Sequence, residues 1–200
     1  MITLRKRVRR SGGDGEDDGD SREPGPSRPC RPGYPSKKLS IRDQLLQKEV
    51  MELNQDILPN TVRVHFPDPN AFHHLMVSVC PSEGLWSGGV FDFEINVPEE
   101  YNMAPPKVKC LTPSWHPNIN FRSGEICLSL LRVSAIDNMG WTPTRRLRDV
   151  VLGLDGLFGD LVNFEDPLNK DAADQYQCCS EAFEQKVRDL IRQNFRSRRR

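Results

Sequence analysis

No stretch of the sequence approaches the roughly 18 consecutive apolar residues that a bilayer-spanning helix needs. The basic start MITLRKRVRR also runs into glycine and acid, where a secretion signal would need an apolar stretch. Net charge is missing as well. The 28 Lys+Arg balance 28 Asp+Glu, so neither general nucleic-acid binding nor a membrane surface is expected. The six cysteines, at 30, 80, 110, 127, 178 and 179, contain no CxxC pair, and the four histidines supply no zinc-finger spacing. Metal and redox-dithiol chemistry are therefore not indicated. A chain of 200 residues needs no disulfide framework, and reduced thiols in cytosol or nucleus are expected.

What is present is unevenly distributed. Residues 1–38 are rich in Gly, Pro, Ser and charge, with a basic run at 5–10 (RKRVRR) and an acidic run at 14–20 (DGEDDGD), and hold almost nothing that could fill a core. They are expected to form a disordered extension ahead of one domain, 39–200. Met1, Ile2 and Leu4 are the apolar exceptions, at the tip of that arm. Within the domain, Ser40 can cap a helix, with Asp43 three residues on and Leu39, Leu46, Val50 and Leu53 forming one stripe. Alternation then takes over in TVRVHF (61–66), FHHLMVSV (72–79) and VFDFEINV (90–97), and KVKCL (107–111) reads as a fourth strand after Pro105-Pro106. Helical period returns with an apolar stripe from about Arg145 to Val162, and a last helix is expected over about 171–195. The fold class is α+β: a four-stranded antiparallel meander flanked by an N-terminal helix, a central helix and C-terminal helices.

More than thirty residues without clear period separate the fourth strand from the central helix, which marks a functional loop. It contains WHPNINFRSGEICLSLL (115–131): a His-Pro-Asn turn, Gly124 for a tight bend, and Cys127 in an apolar segment that would anchor its thiol against the core. A lone cysteine is usually a small buried hydrophobe, so the neighbourhood must decide. A thiol nucleophile can carry a thioester, and a nearby asparagine amide can donate to the oxyanion formed when an amine attacks it. A cysteine protease would need a histidine base; His116, ahead of a proline, is better placed to brace the turn. His65, His73 and His74 fall in strand patterns and read as surface or core residues, not as ligands.

The ordered set YNMAPPKVKCL, WHPNIN, GEICLSLL, GWTP and EDPLN, spanning about 39–195, resembles the catalytic core of the ubiquitin-like-protein conjugating enzymes. The resemblance implies a transferase that receives a small modifier protein from its activating enzyme as a thioester on Cys127 and passes it to a lysine amine. It implies no resident cofactor, ATP being consumed by the upstream activating enzyme. Asn118 would support the oxyanion or order the active-site loop. Asp166 would orient or deprotonate the incoming lysine, its bland alternative being a solvated turn residue that caps the next helix. Met103, Pro143 and Thr144 fall in the two loops that resemble the family's RING-ligase contact, and the exposed face of the first helix resembles its docking surface for the activating enzyme.

Two departures stand out: Asn118 and Cys127 are nine positions apart, one more than is usual in the family, and Ser129 replaces a common aspartate. The longer segment LRVSAIDNMGWTP and the arm beginning MITL resemble the neddylation branch, specifically the conjugating enzymes that work with the second RING-box subunit on cullins and whose N-terminal arm binds the activating enzyme. That likeness implies an N-acetylated Met1 followed by Ile2 in a pocket of a co-ligase; acetylation removes a charge that would be costly to bury. A monomer without nucleic-acid or membrane partners is expected. Conjugation of ubiquitin itself, and a non-catalytic binding module of the same fold, are the alternatives; modules of that kind typically lack the cysteine.

Overall fold

The computed structural model describes residues 39–54, 57–133 and 139–199. The 1–38 extension, with Met1, Ile2 and Leu4, lies outside the described residues. Residues 38–200 form one compact unit.

The first helix, α1 (Ile41–Glu49), starts where Ser40 Oγ accepts the Asp43 N–H, and continues as a 3-10 turn over Val50–Leu53. Only part of the expected stripe is in the core. Leu46 and Leu53 are buried, but Leu39 precedes the cap, escapes the helical register and is 49% exposed. Four strands follow as an antiparallel meander in the order β1 (Val62–His65), β2 (His74–Val79), β3 (Phe91–Asn96), β4 (Lys107–Cys110). Period-two alternation sends Leu75, Val77, Val79, Phe91, Phe93 and Ile95 to one face, where all are buried. Register pairs Val77 with Phe93 and Leu75 with Ile95, so cross-strand neighbours pack as a layer.

The central helix, α2 (Leu147–Gly156), covers that layer with Leu147, Val150, Val151 and Leu154, all fully buried. It is shorter than the apolar stripe implied. The Leu161 N–H closes on the Gly156 carbonyl at 2.9 Å, the chain turns back, and Leu161 is left 49% exposed. Phe158, just past the helix, stacks on Phe91 at 4.3 Å between ring centres, and so joins this turn to the sheet. The expected last helix is two: α3 (Lys170–Cys178) and α4 (Ser180–Ser197), interrupted at Cys179 by non-helical backbone (φ −156°, ψ 85°). Phe183 and Val187 bury one face of α4, and Tyr176 of α3 meets Phe183 edge-on at 5.3 Å.

One anchor has no signature in the pattern. Glu49 is buried, with Oε2 accepting from Tyr101 Oη at 2.7 Å and from the Leu147 backbone N–H at 2.9 Å. A single carboxylate thus joins the end of α1, the loop after β3 and the start of α2. Burial, reinforced by the Glu49 hydrogen bond, pushes the Tyr101 hydroxyl well above the ordinary phenol range.

Candidate active site

The segment after β4 folds as an irregular hairpin that seats Cys127. Ile119 bridges Ile126, Cys127 N–H donates to the Asn118 carbonyl at 2.8 Å, and Asn120 N–H to the Glu125 carbonyl at 2.8 Å. The extra residue between Asn118 and Cys127 is absorbed at the tip. There Gly124 N–H closes on the Asn120 carbonyl at 2.9 Å, and Asn120 Oδ1 accepts from the N–H groups of Arg122 and Ser123, each at 3.0 Å. The longer loop therefore leaves Asn118 and Cys127 directly opposite each other. Gly124 is required there. Its φ is +73°, and a Cβ would sit 2.1 Å from the Cys110 carbonyl oxygen, on the strand to which the hairpin is bonded by Cys110 N–H to Gly124 O at 2.8 Å.

Behind the thiol, Leu128 is buried and rests on α2 at Gly153, where an added Cβ would lie 3.1 Å from the Leu128 methyl and 2.5 Å from that of Leu130. The apolar ICLSLL segment does anchor Cys127, which itself remains partly exposed. By contrast Cys110 is buried, and desolvation pushes its thiol up to about 12.

His116 is the brace and not the base. The ring is fully buried against Trp86, 4.4 Å between ring centres; Nε2–H donates to the Leu157 carbonyl at 2.8 Å, and Nδ1 accepts the Asn118 N–H at 2.9 Å. Both nitrogens are committed, and their partners fix the neutral Nε2–H tautomer. Protonation would set one N–H against another. Burial accordingly lowers the ring's pKa to about 3.

Asn118, 2% exposed, reaches across to the turn after α2: its Oδ1 accepts from Asn163 N–H at 2.8 Å and its Nδ2 donates to the Asn163 carbonyl at 2.9 Å. Asn163 Oδ1 in turn accepts from the N–H groups of Glu165 (2.8 Å) and Asp166 (3.0 Å), and Asn169 N–H donates to the Pro117 carbonyl at 2.8 Å. The EDPLN turn is thus clamped to the HPN turn at both ends. Asp166 is exposed on it. It does not cap the next helix; Asn169 does, accepting the Ala172 N–H at 3.3 Å.

Asn118, Cys127, Leu128, Ser129, Arg132, Leu161 and Asn163 line a cleft of about 80 Å³; Asp166 is not among the lining residues. Larger depressions, of about 240 and 540 Å³, flank the hairpin tip away from the thiol. Sequence reasoning missed Asn163 and Arg132. Neither sits in a motif whose spacing pointed to the thiol, although both lie within the chain's loop segments, where functional residues collect.

A second surface lies where the loop after β3 meets the loop before α2. Trp141 Nε1 donates to the Asn102 carbonyl at 2.7 Å, and Asn102 Nδ2 donates to the Pro143 carbonyl. Met103 is 73% exposed beside them, and Pro143 and Thr144 are exposed, so the three candidate contact residues are presented to solvent from two tied loops.

The meander with its flanking helices, the HPN turn and the partly exposed cysteine opposite it define a ubiquitin-conjugating enzyme. The sequence profile of that family matches residues 45–191, and the chain belongs to it. It is a transferase that works through a thioester intermediate. Among curated relatives, the "NEDD8-conjugating enzyme UBE2F" of Gallus gallus is 52% identical over 192 residues, 96% of this chain and 98% of that one. The protein of the same name from Homo sapiens is 56% identical over 157 residues, covering 78% and 84% of the two chains. Of solved structures, S. cerevisiae Ubc12 superposes with a TM-score of 0.65 at 33% identity, over 76% of this chain and 80% of that one.

Proposed function

We propose that this chain receives NEDD8 from the matching activating enzyme as a thioester on Cys127 and transfers it to lysines of cullins together with a RING-box ligase. The observation that carries the chemistry is the partly exposed Cys127 thiol held opposite Asn118 by the 2.8 Å Cys127 N–H···O bond. The choice of modifier is supported by the 52% identity, over 96% of this chain, to a relative named NEDD8-conjugating enzyme.

The steps follow from this geometry. The Cys127 thiolate attacks the modifier's thioester on the activating enzyme and takes the acyl group. An acceptor amine then attacks the new thioester carbonyl, which places negative charge on its oxygen. Asn118 orders the turn beneath this event through its two bonds to Asn163; one Nδ2 hydrogen is spent there, and the second is available to the oxyanion. Asp166, exposed on the clamped turn, attracts the incoming ammonium and takes up its proton. No resident cofactor enters these steps, ATP being spent upstream. Met103, Pro143 and Thr144 supply the ligase contact, Met1, Ile2 and Leu4 the docking tip for activating enzyme and co-ligase, and the working compartments are cytoplasm and nucleus.

The experiment is direct. The protein is incubated with ATP and, separately, the NEDD8 and ubiquitin pairs of modifier and activating enzyme, and thiol-labile mass shifts are recorded. NEDD8 on Cys127, absent in Cys127→Ala, is the expected result. Loading by ubiquitin alone overturns the choice of modifier; loading on another cysteine overturns the site.

A further inference from the structure

The cleft around Cys127 contains one charged side chain that none of the roles above uses. Arg132 is exposed, lines the cleft, and brings Nη2 to 3.9 Å from Cys127 Sγ. Its backbone is held on both sides: the Arg132 N–H donates to the Ser129 carbonyl at 3.0 Å, and the Arg132 carbonyl accepts the Trp141 N–H at 2.8 Å. The guanidinium stem thus starts from a fixed point, five residues past the thiol on the turn that closes the ICLSLL segment. Among the described residues no carboxylate pairs with it.

Among the described residues, the lining of the cleft offers the sulfur no other cation. Asn118, Leu128, Ser129, Leu161 and Asn163, the rest of the lining, carry no charge. On the hairpin, the Glu125 carboxylate accepts from the Ser123 hydroxyl at 3.1 Å, and neither Glu125 nor Lys109, its backbone partner on β4, lines the cleft. Beneath the HPN turn, His116 is neutral. On the turn after α2, Asp160 and Asp166 are exposed and stand outside the lining. Negative charge on the sulfur therefore meets Arg132 first.

We propose that Arg132 is a catalytic residue of the transfer, stabilising the sulfur of Cys127 each time it carries negative charge. This rests on Cys127 being the thioester carrier. In discharge, the acceptor amine forms a C–N bond at the thioester carbonyl and the carbonyl pair moves to oxygen. The intermediate then collapses, the C–S bond breaks, and its electron pair leaves on sulfur as the thiolate, while the ammonium proton passes to Asp166 or water. The Arg132 N–H groups face the atom on which that pair arrives. A charge-assisted N–H···S⁻ contact strengthens as the bond breaks, so it favours the transition state over the neutral thioester. In loading, the same N–H groups face the sulfur as it attacks the incoming thioester carbonyl.

The test separates this role from one in holding the modifier, because one arm contains no modifier at all. Free Arg132→Ala, Arg132→Lys and wild-type proteins are treated with iodoacetamide at pH 7.5, and the rate at Cys127 is read by peptide mass spectrometry. Purified thioesters are discharged to free lysine in single turnover. Arg122→Ala, at the hairpin tip, removes equal charge elsewhere and serves as the control. Arg132→Ala is expected to slow both alkylation of Cys127 and discharge about twofold to fivefold, the range for a contact open to solvent. Arg132→Lys should recover part of each rate, and Arg122→Ala should match wild type. An unchanged alkylation rate in Arg132→Ala overturns the proposal, whether or not discharge falls. If no modifier loads, the alkylation arm still decides the contact, so failure of the proposed function is distinguishable from failure of this inference.

Discussion

Replacing Asn118 by Ala tests how this site is held together. The side chain makes two bonds to one residue, Oδ1 to Asn163 N–H at 2.8 Å and Nδ2 to Asn163 O at 2.9 Å. At about 1 kcal/mol net for each bond, the loss is about 2 kcal/mol, and more where the Asn163 groups stay away from water. In a domain of this size that lowers the melting temperature by about 4–8 °C. Calorimetry gives the shift, and single-turnover discharge of the thioester gives the rate. The companion variant is Asn163→Ala. It keeps both backbone bonds to Asn118 but deletes the acceptor that holds Glu165 N–H and Asp166 N–H. If Asn118 acts by ordering the turn that carries Asp166, both variants slow discharge to a similar degree, and Asn118→Asp, which sets a carboxylate oxygen against the Asn163 carbonyl, resembles Asn118→Ala. If discharge falls a hundredfold or more in Asn118→Ala, the size for a lost oxyanion donor, yet stays at wild-type rate in Asn163→Ala, the positioning account is refuted. The amide would then act on the oxyanion itself.

Gly124→Ala should destabilise the domain by about 3 kcal/mol in urea unfolding. Left-handed backbone costs about 1–2 kcal/mol, and the 2.1 Å approach to Cys110 O forces the hairpin off β4, with loss of a further hydrogen bond. Glu49→Ala leaves the Tyr101 hydroxyl and the Leu147 N–H without their acceptor and should cost about 3 kcal/mol; Glu49→Gln, keeping a carbonyl oxygen, should cost about half of that. For His116 the unfolded ring binds its proton near 6.5 and the folded ring only near 3, so the unfolded state holds more protons between those values. Its contribution is whole above pH 6.5 and is lost as pH falls toward 3, by about 1.4 kcal/mol per unit, and the slope measured by urea titration should flatten in His116→Gln. Met103→Glu should leave thioester formation intact and reduce only the ligase-stimulated rate, since Met103 is 73% exposed and lies outside the Cys127 cleft.

The sheet was legible because its information is local. A strand whose side chains alternate between core and solvent must alternate in sequence, and VFDFEINV does so with Phe91, Phe93, Ile95 and Val97 all buried. The helix ends were not legible. Tyr176 and Phe183 are seven residues apart, two full turns, so the apolar phase runs through Cys179 as though α3 and α4 were one helix. A one-residue break that preserves phase leaves no trace in periodicity. The stripe past Gly156 misled for a related reason: Leu157 and Phe158 are buried by a turn that happens to face the same core as the helix before it.

The same distinction divides the site. Cys127, Gly124 and the HPN turn announce themselves because each imposes its requirement on its own stretch of backbone: a reactive thiol in an apolar segment, a positive φ, a bracing histidine. Asn163, Arg132 and Glu49 have no such mark. Asn163 matters through Asn118, 45 residues away; Glu49 through Leu147, 98 residues away; Arg132 through the fold of the turn that returns it to Cys127. An asparagine, an arginine and a glutamate on exposed-looking segments are ordinary in any sequence. Only the closed geometry shows that Asn163 and Glu49 have polar atoms committed to distant residues, and that Arg132 returns its guanidinium to the Cys127 cleft. The candidate thiol could therefore be read from the chain, whereas the groups packed and bonded around it had to come from the fold.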